Sequence, residues 1–256
     1  MANLVILQSQ THRHLRVDNT PSARYGDNVN NVAVVPREYP ALLVHFPIFF
    51  RKSSETGRFE PTVLLGFQPG ENLFLVNDRW DAGYVPLQIR RQPFSVAPST
   101  TTHTGAETGR LEVALDPDDA RVRAGAGQAL FLEDGQPTEY LQQVSSMLMA
   151  LVQGASEAYA YTSRLVELNL VEPVRVEVTF VDGSEVKLQG LYSIAPATLQ
   201  ALPAAQLADL RDRGYLEWMY FQMASVAQVG ALMSRKNRLL SGVTPVSTPA
   251  LGQRDV

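Results

Sequence analysis

The sequence predicts an α+β protein, and three observations carry that expectation. Up to about residue 130 the apolar residues come in short runs punctuated by Pro, Gly and Asn, the pattern of short strands. From Pro137 they move to a spacing of three and four, the period of a helix with one buried face. Between Val174 and Leu188 they alternate strictly, as in a half-buried hairpin. The expected architecture is an antiparallel β-rich N-terminal half packed on a mainly helical C-terminal half that contains the hairpin. Strands and helices do not alternate regularly, which argues against Rossmann and TIM arrangements. No internal repeat is visible.

Taken in order, Leu4–Leu7 and His14–Val17 read as strands, and Asp18–Asn31, with Pro21, Gly26 and several Asn, as a loop. Val32–Val35 is a strand stopped by Pro36. Glu38–Phe46 reads as a short helix with Pro40 in its first turn. Ile48–Arg51 and Val63–Phe67 form a hairpin, and Leu73–Val76 another strand. Tyr84–Arg91 is a short helix, followed by strands Phe94–Ala97 and Leu111–Leu115. Ser99–Gly109 is a Thr-rich loop, and Asp116–Gln128 a polar connector that includes the turn Gly125–Gly127.

The second half opens with a helix from Pro137 whose apolar face is Leu141, Val144, Leu148, Leu151, Val152 and Ala155. Gly154 is expected to break or kink it, and Pro173 to end it. The hairpin turns at Asp182-Gly183, a dipeptide suited to a type I′ turn. Short helices follow Pro196 and cover Leu207–Arg213, closed by Gly214. A final helix runs from about Tyr215 to Leu240 and ends in Arg235, Lys236 and Arg238, cations that suit a helix C-terminus and meet water. Ser241–Val256 reads as a disordered tail. The two halves, 1–130 and 131–240, are expected to share a core as one domain, since no long linker separates them.

Composition removes whole classes of function. The chain has 256 residues and no cysteine, so disulfides, zinc–thiolate sites, iron–sulfur clusters and Cys nucleophiles are out. It carries 22 Lys and Arg against 26 Asp and Glu, a net charge of −4, which disfavours nucleic acid as a partner. With 45% hydrophobic residues it can build a core. No run approaches a membrane span. No basic n-region precedes the apolar run Leu4–Leu7, so a cytoplasmic location is expected, with export by a dedicated route the alternative.

The motif search finds no Gly-x-Ser-x-Gly elbow, Walker loop or dinucleotide-binding turn. No cofactor is expected. His12 and His14 sit two apart; on a strand they would share a face and can offer two metal ligands, but no third follows. The plainer reading is two surface histidines. His103 lies in the Thr-rich loop. Asp116, Asp118 and Asp119 with Glu112 lack the spacing of a calcium loop and read as a solvated turn. The densest signal is Gly70–Phe94, which gathers Arg79, Trp80, Asp81, Tyr84, Arg90 and Arg91. Trp and Tyr can wall a pocket and Arg can clamp a carboxylate or phosphate through two hydrogen bonds. Trp80 and Tyr84 as core, with Asp81 and the arginines as a structural ion-pair network, explains the same residues. Arg13, Arg16 and Arg24 are further candidates for an anion-binding wall.

In this segment the chain resembles the SapC family. The matching blocks are Thr11–Val17, Glu38-Tyr39-Pro40 through Phe46–Phe50, and Leu64-Leu65-Gly66 with Gly70–Phe74. Arg79–Pro86, Ile89–Phe94, Asp134–Leu141 and the Asp182-Gly183-Ser184 turn with Leu191-Tyr192 continue the match. It extends to about residue 240 and departs at the Thr-rich loop and the tail. The resemblance implies a link to a paracrystalline surface layer, from which the family takes its label. It also implies an association with TonB-dependent receptors or flavin-dependent halogenase-like proteins, and so with nutrient uptake. It carries over no catalytic residues.

Three functions compete. One is a non-catalytic accessory protein that binds a protein, a peptide or a small anionic ligand through Arg79–Phe94. The second is an enzyme that modifies a peptide or small molecule, with a metal at His12 and His14. The third is a surface-layer component that assembles outside the cell.

Overall fold

The structure, a computed structural model, describes residues 3–98, 111–124 and 127–242. In chain order the elements are β1 (Val5–Ile6), α1 (Ser9–His12), β2 (Leu15–Val17), β3 (Asn31–Ala33), α2 (Tyr39–Leu42), β4 (Ile48–Lys52), β5 (Phe59–Leu64), β6 (Leu75–Val76) and β7 (Arg79–Trp80). Then come α3 (Leu87–Arg90), β8 (Phe94–Pro98), β9 (Leu111–Leu115), β10 (Val122–Ala124), β11 (Gln128–Ala129) and α4 (Glu139–Glu167). The last are β12 (Val171–Thr179), β13 (Glu185–Ile194), α5 (Pro196–Gln200), α6 (Ala204–Asp212), α7 (Tyr215–Ser225) and α8 (Gln228–Leu240). The fold is α+β, with antiparallel sheets mostly in the N-terminal half and helices mostly in the C-terminal half, as the sequence predicts.

The chain divides into two compact units, each discontinuous in sequence. The first takes Met1–Pro21 and Leu87–Gln153, the second Ser22–Pro86 and Gly154–Val256.

In the first unit, β9 lies between β1 and β8, and β2 lies between β10 and β11. Val17, Phe94, Leu115 and Leu130 pack with Leu141, Val144 and Leu148 of α4 in one buried cluster. Complete burial of each such side chain contributes about 1.5–3 kcal/mol. Strands β10 and β11 fall in the stretch expected to be a polar connector. They form there because both pair with β2, Val17 lying opposite Val122 on one side and Gln128 on the other. Backbone pairing needs no apolar run.

The second unit is built on a five-stranded sheet in the order β12-β13-β4-β5-β3. Ile48, Phe49 and Phe50 of β4 are buried, as are Tyr39 and Leu42 of α2 and Tyr161 of α4. The α2 turn carries its proline in the first turn, where a missing N–H costs nothing.

Helix α4 runs unbroken through Gly154. A Cβ on Gly154 would come within 2.7 Å of the Val35 Cβ, so the glycine serves close approach rather than a kink. Its buried row is Leu141, Val144, Leu148, Leu151, Gly154, Ala158, Tyr161 and Leu165; Val152 and Ala155, expected on that face, are exposed. The helix ends at Asn169, with φ of 55°, not at Pro173. The Leu170 N–H donates to the Leu165 carbonyl and the Asn169 N–H to that of Val166, closing the end in a left-handed cap. Pro173 lies inside β12.

The run expected to be one helix from Tyr215 to Leu240 is two. At the break the N–H groups of Val226 and Ala227 bond to Met223 and Ala224, three residues back, tightening the last turn of α7. The Ser225 hydroxyl accepts from the Ile48 N–H at 2.9 Å and donates to the Gln222 carbonyl at 2.6 Å, tying that turn to β4. The β12–β13 turn also differs. Only Gly183 has positive φ (82°), with Phe180 N–H bonded to Ser184, so the loop has three residues and ends in a left-handed glycine. The residues that form a type I′ turn are Asn77 and Asp78, φ 52° and 57°, between β6 and β7. The Thr-rich loop with His103, Gly125 and the tail beyond Gly242 lie outside the described residues.

Candidate functional site

The β6–β7 hairpin and the segment after it, Asp81–Pro86, carry a cluster of aromatic and charged side chains in the second unit. The type I′ turn fixes the hairpin, and Asp78 in that turn accepts a hydrogen bond from the Ser22 hydroxyl at 2.6 Å. Trp80 stacks on Phe74, ring centroids 6.1 Å apart, and approaches Phe46 at 6.2 Å. Its indole N–H donates to the Tyr84 carbonyl at 2.7 Å, closing the segment on itself. The Tyr84 hydroxyl donates to Glu38 Oε1 at 3.1 Å, and Glu38 Oε2 accepts from the Val35 N–H at 3.0 Å. Glu38 is buried, so these bonds offset the cost of placing a carboxylate there.

Asp81 is paired from the far end of the chain. Arg235, 154 residues away, donates Nη1 to Asp81 Oδ2 at 2.6 Å and Nη2 to the Asp81 carbonyl at 2.8 Å. Its guanidinium lies over the Phe74 ring at 4.4 Å. Lys236 donates to Glu71 Oε1 at 2.5 Å, while Glu71 Oε2 accepts from the Phe67 N–H at 2.7 Å. Asn237 Oδ1 accepts from the Val181 N–H at 3.1 Å. The Arg-Lys-Asn run, expected to meet water, thus joins α8 to three loops.

His45 completes the cluster. A Cβ on Gly83 would meet His45 Nε2 at 2.9 Å, so this glycine admits the ring against the backbone. Burial, and then the nearby Arg235 charge, hold the imidazole below the usual histidine range. At neutral pH His45 is uncharged.

The sequence-derived candidates are divided between the two units. Arg79, Trp80, Asp81 and Tyr84 belong to the second unit, and Arg90, Arg91, Arg13, Arg16, His12 and His14 to the first. Arg79 is exposed, and among the described residues it has no ion-pair partner. Arg90 is exposed at the end of α3. Arg91 bonds to Gln88 Oε1 at 2.5 Å and to the Phe94 carbonyl at 2.8 Å, and burial lowers its pKa. Arg13 and His14 are exposed. Arg16 donates to the Gly127 carbonyl at 3.3 Å and lines a cleft of about 530 Å³ with Asn19, Thr138 and Glu139. Arg24 lies over Tyr25 at 4.5 Å.

His12 and His14 do not share a strand. His12 ends α1, where its Nδ1 accepts from the Gln8 N–H at 3.0 Å, and His14 lies in the following turn. Among the described residues no three His, Asp or Glu side chains come together as a metal-holding group. Asp116 accepts from the backbone N–H groups of Asp118 and of the distant Asn3, and Asp119 from that of Arg121.

Sequence reasoning missed Glu38, His45, Glu71, Arg235 and Lys236. Glu38 had a legible signal, a carboxylate three residues after Val35, the residue that caps the helical turn opening at Pro36. The Arg235 and Lys236 pairs had none, because their partners lie more than 150 residues away.

A model of the family described as SapC matches residues 7–232. The chain belongs to the SapC family. The match takes in β2, the whole Gly70–Phe94 segment, the β12–β13 hairpin and the start of α8. No curated protein and no solved structure matches this SapC chain. Among the described residues no helix is long and apolar enough to cross a membrane.

Proposed function

We propose that this SapC-family protein is a non-catalytic accessory protein that binds a protein, a peptide or a small anionic ligand through the face bearing Arg79. One observation carries the reading: the carboxylates around Trp80 are committed to structure. Asp81 is held by Arg235, Glu71 by Lys236 and the Phe67 amide, and Glu38 by Tyr84 and the Val35 amide. A carboxylate fixed in this way braces a loop instead of trading protons with a substrate. The result is a preorganised surface, and Arg79 is the guanidinium on it that is left for a carboxylate or phosphate.

The family resemblance supplies the setting. The reading includes a cytoplasmic location and a role beside a surface-layer or TonB-dependent uptake system, with a receptor or a flavin-dependent halogenase-like protein as the partner. Affinity purification of the full chain from its native cells, with fractionation, tests it. The wild-type chain is expected to bring down the halogenase-like protein from the soluble fraction or the receptor from the detergent-solubilised membrane fraction, and Arg79→Glu to lose it while keeping the wild-type circular dichroism spectrum. Recovery of the same partner by both proteins, or substrate turnover by the isolated chain, refutes the reading.

A further inference from the structure

Strand β12 is a free edge of the five-stranded sheet. The Phe180 N–H bonds to the Ser184 carbonyl, so the pairing alternates from there. Val178 and Val176 turn their backbone groups toward β13, and Thr179, Glu177 and Arg175 turn theirs outward. All three are exposed, and among the described residues their outward groups have no hydrogen-bond partner. Pro173 is also outward, where its missing N–H breaks no bond within the sheet.

The side chains sort the same way. Arg175 and Glu177 share one face. Among the described residues Arg175 has no ion-pair partner, and Glu177 reaches Lys187 only at 3.9 Å with both groups well exposed. The other face carries Val174 and Val176, half-exposed, and Val178, buried.

We propose that β12 pairs antiparallel with β12 of a second copy of this chain, about a twofold axis through Val176. Arg175 then lies opposite the second copy's Glu177, and Glu177 opposite the second copy's Arg175. Each pair exchanges two backbone hydrogen bonds and joins opposite charges on one face. On the other face Val176 meets its own counterpart and Val174 meets the second copy's Val178, covering valines that a single chain leaves half-exposed.

The register follows from the sequence of the strand. The outward direction of the bonds requires the axis to pass through a residue. An axis at Arg175 or Glu177 places like charges opposite each other. An axis at Val174 sets Arg175 against Pro173, which cannot donate, and one at Val178 sets Glu177 against Thr179. Only Val176 sets both charged residues against opposite charges; it leaves Thr179 opposite Pro173 at each end of the ladder, where the missing N–H forgoes one terminal bond, and an isologous contact of this kind closes at two copies.

Sedimentation equilibrium of the full chain tests the pairing. Wild type is expected to dimerise, and Arg175→Glu and Glu177→Arg each to weaken the dimer by about tenfold or more, since each turns two attractive pairs repulsive. An equimolar mixture of the two variants restores complementary pairs and is expected to form a heterodimer, and the double swap R175E/E177R to form a homodimer. Circular dichroism confirms that each variant is folded; if one single variant does not fold, the double swap still reads the register. A monomeric wild type, a dimer insensitive to both single changes, or failure of the mixture and the double swap to recover association overturns the proposal.

Discussion

Replacing Arg235 by alanine tests whether the Trp80 cluster is held together from α8. The guanidinium makes two charge-assisted hydrogen bonds to Asp81, one to its carboxylate and one to its carbonyl. Bonds of that type contribute about 1.5–3 kcal/mol each when buried. Here the side chains are 20% and 24% exposed, which places the pair at the lower end of that range. The contact with Phe74 adds about 0.5–1 kcal/mol. Arg235→Ala is therefore expected to destabilise the second unit by about 3.5–4 kcal/mol. Arg235→Lys keeps the charge but not the planar fork, and is expected to cost about half as much. Arg238→Ala, an exposed neighbour on the same helix, is expected to stay within about 0.5 kcal/mol of wild type. Both tryptophans, Trp80 and Trp218, lie in the second unit, so urea unfolding followed by tryptophan fluorescence reads that unit directly. A loss below about 1 kcal/mol for Arg235→Ala refutes the reasoning. So does additivity of Arg235→Ala with Asp81→Asn, because residues in contact couple by about 0.5–3 kcal/mol.

Three further outcomes are expected. Gly154→Ala would normally stabilise a helix by about 1 kcal/mol, but its Cβ would meet three Val35 side-chain atoms at 2.7–2.9 Å. A net loss of about 1–3 kcal/mol is expected, relieved only in part by adding Val35→Ala, which removes the two Cγ contacts and keeps the Cβ one, and more fully by Val35→Gly; a more stable single variant contradicts the close-approach role. Ser225→Ala strips the buried Ile48 N–H of its acceptor and is expected to cost about 1–3 kcal/mol in denaturant unfolding, whereas Ser234→Ala, on the exposed side of α8, should cost little. His45 is held below its ordinary pKa, so the unfolded chain takes up this proton first as pH falls. Stability from this group is complete above about pH 6.5, declines as pH drops through that value, and levels off below the folded pKa. Urea midpoints measured across that range are expected to show a smaller slope in His45→Gln, and parallel curves for the two proteins count against it.

What was legible in the sequence was whatever local patterning dictates. Strict alternation after Pro173 revealed the β12–β13 hairpin, and three-and-four spacing revealed α4, because both signals come from residues close in sequence. The errors share a physical cause. Gly154 looks like a helix breaker until Val35 is placed beside it, and the Val226–Ala227 break follows from the Ser225 bond to Ile48, which no helical pattern contains. The type I′ turn was expected at Asp182-Gly183 and formed at Asn77-Asp78, since both dipeptides tolerate positive φ and tertiary contacts choose between them. Within the candidate site, Trp80, Asp81 and Tyr84 stood out by composition. The groups that fix them, Glu38, His45 and Arg235, did not, because each carries its meaning only through a distant partner.

The interleaving of the two units bears on how the polypeptide is made. The chain passes from one unit to the other between residues 21 and 22, again between 86 and 87, and a third time within α4 between 153 and 154. Strand β1 leaves the ribosome long before β9, the strand it pairs with, and the β4–β5 hairpin waits for β13 to cover its other side. A nascent chain that stops anywhere between Ser22 and α4 therefore holds pieces of both units and the whole of neither. No single cut in the gene separates them either: expressing one unit alone requires a new linker that joins its two segments.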